Sequence, residues 1–140
     1  MGIEDNKAVI RRFVEQFKNR ANHEIVDELF TEDFVHHFAD PRLPKGRAGM
    51  KALGRSVVAG LPDVHATIED LIAEGDKVVE RTRAGGTHRG EFFGVPPTGK
   101  KISWSETHVY RFKNGKVAEH WPEIDTFGIM MQLGVIPPPR

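Results

Sequence analysis

Ile102-Ser103-Trp104-Ser105-Glu106-Thr107-His108-Val109-Tyr110-Arg111-Phe112-Lys113-Asn114-Gly115-Lys116-Val117-Ala118-Glu119-His120-Trp121-Pro122-Glu123-Ile124-Asp125 is the stretch from which the fold can be read. Asn114-Gly115 lies between two β-like runs, and that dipeptide favours a two-residue hairpin turn with positive φ at both positions. Lys113 then faces Lys116, Phe112 faces Val117, and each later pair follows in step. In that register Ile102, Trp104, Glu106, His108, Tyr110 and Phe112 share one face with Val117, Glu119, Trp121, Glu123 and Asp125. Ser103, Ser105, Thr107, Val109 and Arg111 take the other. An aromatic face normally turns inward, so Glu106, His108 and Asp125 either line a cavity or need buried partners. Pro122 faces Thr107 at a hydrogen-bonded position, where proline has no N–H to give; a bulge there would turn Asp125 to the opposite face.

Working back from the hairpin, Val64 to Ile72 and Lys77 to Ala84 read as two more strands joined through Glu74-Gly75-Asp76, with a turn-rich connection from Gly85 to Lys101. Ile10, Phe13, Val14 and Phe17 follow helical spacing and predict an amphipathic helix from about Asp5 to Asn19 with Arg11, Arg12 and Glu15 outside. Asn22 offers an N-cap for a short second helix carrying Ile25, Val26, Leu29 and Phe30. Phe34 to Phe38 is a short extended piece. Met50, Leu53, Val57 and Leu61 mark a third helix, weakened by Gly54 and stopped by Gly60 and Pro62; Phe127, Met130, Met131 and Leu133 suggest a closing helix ending near Gly134. Helices first and antiparallel strands afterwards give an α+β class in which helices cover one face of a curved sheet. A length of 140 residues fits one domain, 1–140, with a Pro-rich tail at 135–140.

Twenty basic residues against twenty acidic ones leave zero formal charge, and no basic run exceeds a pair, so nothing marks a nucleic-acid or anionic-membrane surface. The absence of cysteine removes thiolate nucleophiles, disulfides and cysteine metal sites. Met1-Gly2-Ile3-Glu4-Asp5 lacks the basic start and apolar core of a signal peptide, and no apolar run approaches membrane-spanning length. These features predict a cytoplasmic protein.

Asp125 is the strongest single candidate for chemistry, since apolar walls raise a carboxyl toward general acid or base use. Standing just before Thr126-Phe127-Gly128-Ile129, it equally suits the N-cap of the last helix. Glu106 and His108 sit mid-strand, where capping is no explanation; an internal ion pair and a pocket role both remain open. His36-His37 lacks the i, i+4 partner of a helical metal pair, so no metal site is expected. Gly94-Val95-Pro96-Pro97-Thr98-Gly99-Lys100 superficially matches a phosphate loop. Lys101 replaces the magnesium-holding hydroxyl, two prolines delete amide donors and a strand follows, so it reads as a rigid turn.

Gly86-Thr87-His88-Arg89-Gly90-Glu91-Phe92-Phe93-Gly94, Pro96-Pro97-Thr98-Gly99-Lys100, and Glu119-His120-Trp121 with Asp125 and Gln132-Leu133-Gly134 closely resemble the SnoaL-like polyketide cyclase family. Pro62-Asp63 and Asp76-Lys77-Val78-Val79 followed by Arg81 fit the same pattern, so the resemblance runs over nearly the whole chain. It implies a nuclear transport factor 2-like cone, a curved antiparallel sheet and helices enclosing a deep pocket. It further implies an aspartate, matching Asp125, that serves as acid and base in an intramolecular aldol closure with no metal and no cofactor. The histidine that often follows the first helices of such sequences corresponds to His37, and the Gly-Thr-His-x-Gly histidine to His88.

The leading expectation is therefore a cofactor-independent cyclase or isomerase acting on a mostly apolar small carbonyl compound. Asp125 would abstract the α-proton, His108 or His88 would hydrogen-bond the enolate, and Trp104, Trp121 and Phe112 would shape the cavity, with His37 and Glu106 also contacting substrate. One alternative is a hydrolase or dehydratase using Glu106 beside Asp125. Another is a small-ligand-binding module without chemistry. Val109, Ala118 and Ile124 on the outer face of the sheet suggest a homodimer packed through that face.

Overall fold

The computed structural model describes residues 2–38 and 40–137; residues 138–140 of the expected Pro-rich tail lie outside the described residues. The first apolar stripe forms α1 (Ile3–Phe13), continued by a π-helical segment, Val14–Asn19. The wider π winding departs from 3.6 spacing and brings Lys18, next to the buried Phe17, into the lining of an internal cavity. A short α2 (Ile25–Leu29) follows, with Glu24 rather than Asn22 at its N-cap position; the Asn22 side chain donates to Gln16 instead. α3 (Gly46–Gly60) covers the sheet. A Cβ on its Gly54 would stand 2.5 Å from the Phe17 ring, so glycine there is a packing requirement.

The five strands are β1 (Phe30–His36), β2 (His65–Glu74), β3 (Lys77–Thr87), β4 (Lys101–Lys113) and β5 (Lys116–Ile124), in the spatial order β1-β5-β4-β3-β2. β2 through β5 pair antiparallel. β1, read from sequence only as a short extended piece, adds a parallel edge to β5. A curved sheet with the helices on its concave side is the α+β cone expected from the sequence. The last helix, α4 (Thr126–Gln132), packs against β4, with Gln132 hydrogen-bonded to the Ser103 backbone.

The hairpin turn forms as read, with Asn114 at φ 52° and Gly115 at φ 78°. Lys113 faces Lys116 and Phe112 faces Val117, but Arg111 then faces Glu119, leaving Ala118 as an extra residue in β5. This bulge lies close to the turn, well before Pro122, and it reverses the parity of everything after it. His120, Pro122 and Ile124 turn toward the cavity, while Glu119, Trp121 and Glu123 turn outward. The expected inward positions of Trp121 and Glu119 are thus corrected, and Ile124 leaves the outer face. The inner face of β4 stays as read, alternating buried and exposed along its length, and β3 runs beside it in step: Val78 opposite Tyr110, Glu80 opposite His108, Thr82 opposite Glu106 and Ala84 opposite Trp104.

Among the described residues, no helix is long and apolar enough to cross a membrane.

Candidate active site

A cavity of about 450 Å³ lies between the sheet and the helices. Phe17, Met50, Leu53, Val57, Phe92 and Trp104 form much of its apolar wall. Its exposed charged lining residues, Arg42 and Glu91, mark the open side, and Lys18, Glu106, His108 and His120 gather at the buried side. This volume suits a small ligand whose body is apolar and whose polar group reaches one place.

At that place the polar side chains form one connected network. The Lys18 ammonium donates to Glu106 Oε1 at 3.0 Å and Glu80 Oε2 at 3.1 Å, and lies 3.3 Å from His108 Nε2. Glu106 Oε1 also lies 2.7 Å from His108 Nε2, and its Oε2 accepts from the Trp104 indole N–H at 2.7 Å. His108 Nδ1 meets His120 Nε2 at 2.8 Å. Behind them, Tyr110 donates to Glu80 Oε1 at 2.7 Å and Thr82 donates to Glu80 Oε2. The Tyr110 and His36 rings stack on the His120 ring at centroid distances of 4.6 and 5.0 Å, nearly parallel.

These partners assign the ring protons. A carboxylate only accepts, so His108 Nε2–H points at Glu106, His108 Nδ1 accepts from His120 Nε2–H, and His120 Nδ1 is left as a buried acceptor with no hydrogen-bond partner. The chain Glu106–His108–His120 thus has a direction and a spare acceptor nitrogen. The charges agree with it. Burial pushes the Glu106 carboxyl up, but the Lys18 charge and the His108 bond outweigh burial and hold it well below the usual carboxylate range. Glu80 is likewise held down, the burial that raises it being outweighed by the Lys18 charge and by the hydrogen bonds from Thr82 and Tyr110. Burial pushes Lys18 down, yet Glu106 and Glu80 leave it above the ordinary lysine value. Burial holds His120 well below the ordinary histidine value and lowers His36 to about 4. Burial and the neighbouring Glu80 raise Tyr110.

Glu80, Glu106 and His108 present donor atoms within 4.8 Å of one another, a spacing suited to a cation, but the cation gathered there is the ammonium of Lys18.

Of the residues singled out from sequence, Trp104, Glu106 and His108 line the cavity. Phe112 packs in the hydrophobic core opposite Val117 and is not among the cavity-lining residues. Asp125 is the N-cap of α4: its Oδ1 accepts from Gly128 N at 2.9 Å, and it stands outside the cavity lining. His88 is fully buried but committed to its own loop, with Nδ1 accepting from Thr98 N at 3.2 Å and Nε2 donating to the Val95 carbonyl at 3.1 Å. It latches the Gly94 to Lys100 turn. His37 and Trp121 stack on each other at 5.0 Å on the outer side of the sheet, where His37 Nε2 meets Glu119 Oε2 at 2.6 Å and Arg111 holds Glu119 Oε1 at 2.9 Å. Sequence reasoning missed Lys18, Glu80 and His120. Alternation from Val78 was a usable signal for Glu80, since positions 78, 80, 82 and 84 are all buried.

A curved sheet closed by helices over an apolar cavity, with its ionisable groups at one buried end, defines a cone of the nuclear transport factor 2-like kind. The profile of the SnoaL-like polyketide cyclases matches residues 8–133, and the chain belongs to that family. Aklanonic acid methyl ester cyclase AcmA of Streptomyces galilaeus is 28% identical over 134 residues, covering 91% of this chain and 89% of that protein. TsrD from Streptomyces laurentii superposes with a TM-score of 0.88 at 26% identity, covering 97% of this chain and 99% of the other. AclR from Streptomyces galilaeus superposes with a TM-score of 0.87 at 31% identity, covering 99% and 87%.

Proposed function

We propose that this protein is a cofactor-independent cyclase that takes an α-proton from a mostly apolar carbonyl compound and closes a ring by intramolecular aldol addition. The observation that carries this reading is the directed chain Glu106–His108–His120 in the lining of an apolar cavity. The C–H bond α to the carbonyl breaks, its proton passes to the histidine pair, and the enolate carbon attacks a second carbonyl of the same molecule. The new C–C bond leaves an alkoxide, which takes the proton back from the pair. Glu106 orients His108 and stabilises the positive charge that develops on the pair in the transition state, and the apolar walls exclude water from the enolate. The activity named for AcmA, that of a methyl ester cyclase, supports the same class of reaction.

This reading moves the acid/base role from Asp125 to the histidine pair, because Asp125 caps α4 through Oδ1 and stands outside the cavity lining. The same fact removes the support for a hydrolase built on Glu106 and Asp125 together.

The test is α-proton exchange in D2O, followed by ¹H NMR, on an aromatic ester bearing a 1,3-dicarbonyl side chain. Exchange and ring closure above the buffer rate, abolished in His108→Gln and retained in Asp125→Asn, are the expected results. Full activity in His108→Gln would refute the assignment.

A further inference from the structure

Of the two carboxylates in the network, Glu80 is the one that is completely buried and absent from the cavity lining, so it has no route to a substrate. Its place in the sheet is directly opposite His108 on the neighbouring strand. It also reaches the histidine pair by two bridges: Oε2 accepts from Lys18, which lies against His108, and Oε1 accepts from Tyr110, whose ring lies on His120. A cross-strand neighbour this close acts on the pair through its field.

The count of charges gives that field a sign. Glu106 and Lys18 alone would form a neutral pair beside two neutral imidazoles. Glu80 adds a second buried carboxylate without a second cation, so the cluster carries one net negative charge until the imidazole pair takes up a proton. The other titratable groups facing the pair are Lys18 from the π-helical segment, Glu106 and Tyr110 from β4, and His36 from β1. Among these, only Glu106 shares Glu80's sign.

We infer that Glu80 is a positioning residue for acid/base chemistry: its buried negative charge, opposite His108, sets how readily the His108–His120 pair accepts a proton. Glu80 touches neither substrate nor reacting atom and acts through the pair. The inference rests on the proposed role of that pair, but its first test does not involve substrate.

Glu80→Gln keeps the size and most of the hydrogen bonding of the side chain and removes only the charge. Tyr110→Phe removes a hydrogen bond to Glu80 and keeps the charge. In the full chain labelled with ¹⁵N-histidine, the ring nitrogens of the pair are followed by NMR from acid to neutral pH. An opposite charge within ~4–6 Å favours a protonated imidazole by about one to three pH units, so Glu80→Gln titrates lower by one unit or more, whereas Tyr110→Phe stays near the native chain. An unmoved titration in Glu80→Gln, or an equal shift in Tyr110→Phe, would overturn the inference. In the exchange assay the acid limb of the pH profile moves with the NMR titration. A shifted titration in a native chain that catalyses neither exchange nor ring closure would leave the role of Glu80 standing and refute the cyclase reading alone.

Discussion

Replacing Lys18 by methionine tests whether the buried network is held together by its single ammonium. The side chain is only 14% exposed, and its carboxylate partners are 0% and 9% exposed, so solvent screening is small. Methionine fills much of the volume but leaves two carboxylates facing one another without a cation. Removing one partner of a buried ion pair costs about 3–5 kcal/mol, a large part of the ~5–15 kcal/mol that holds a domain folded. At about 2–4 °C per kcal/mol, the loss in melting temperature is on the order of 10 °C.

The pH dependence supplies the sharper test. In the native chain both carboxyls are held below their ordinary value, so they contribute stability above the unfolded value of ~4.3 that is lost only as pH falls through the folded one. Without Lys18 the mutual repulsion and burial of Glu80 and Glu106 raise their folded values instead, and the sign reverses: the penalty is present at neutral pH and relieved as a carboxyl protonates. Urea denaturation of both chains at pH 7 and pH 5, monitored by tryptophan fluorescence, should show the deficit of the variant shrinking at the lower pH. A deficit under about 1 kcal/mol at pH 7, or one that grows on acidification, would refute the account of the network.

Asp125→Ala should cost about 1 kcal/mol by chemical denaturation, the value of an N-cap, and leave α-proton exchange intact. His88→Ala should lower stability by about 1–3 kcal/mol through the unpaired Thr98 N–H and Val95 carbonyl, and hydrogen exchange should rise first in residues 94–100. Ile72, Val79, Val109 and Trp121 form one cross-strand row on the outer face of the sheet, so the chain should run as a homodimer by light scattering at micromolar concentration and Val109→Lys as a monomer. A native monomer or a dimeric variant would exclude that face.

The hairpin shows what a sequence discloses and what it withholds. Asn114-Gly115 specifies its turn through local backbone preference, and the aromatic alternation of β4 specifies its inner face, so Trp104, Glu106 and His108 could be placed from residue order alone. β5 could not be phased the same way. Val117 and Ala118 are buried in succession, and neither residue type announces a bulge, so parity counted outward from the turn failed at Ala118 and carried Trp121 and His120 to the wrong faces. The bulge expected at Pro122 does not form there, since the ladder runs regularly through that residue. Lys18 was hidden for a different reason: a lysine at the end of an amphipathic helix reads as solvated, and only the π winding turns it toward two carboxylates contributed by distant strands. Asp125 matched two roles at once, of which the structure displays the capping one.

The parallel pairing of β1 with β5 joins residue 30 to residue 117, across more than half the length of the domain. As the chain emerges from the ribosome, the helices and β1 appear first, yet the edge of β1 has no strand to bond until the C-terminal hairpin has been synthesised. The apolar faces of α1 and α3 meanwhile lack the sheet they pack on. Long-range pairings of this kind make folding slow and leave a growing chain with unpaired backbone and exposed apolar surface. The domain therefore completes itself after translation of β5, and early termination anywhere before Lys116 yields a product with an open strand edge, a substrate for chaperones and proteases.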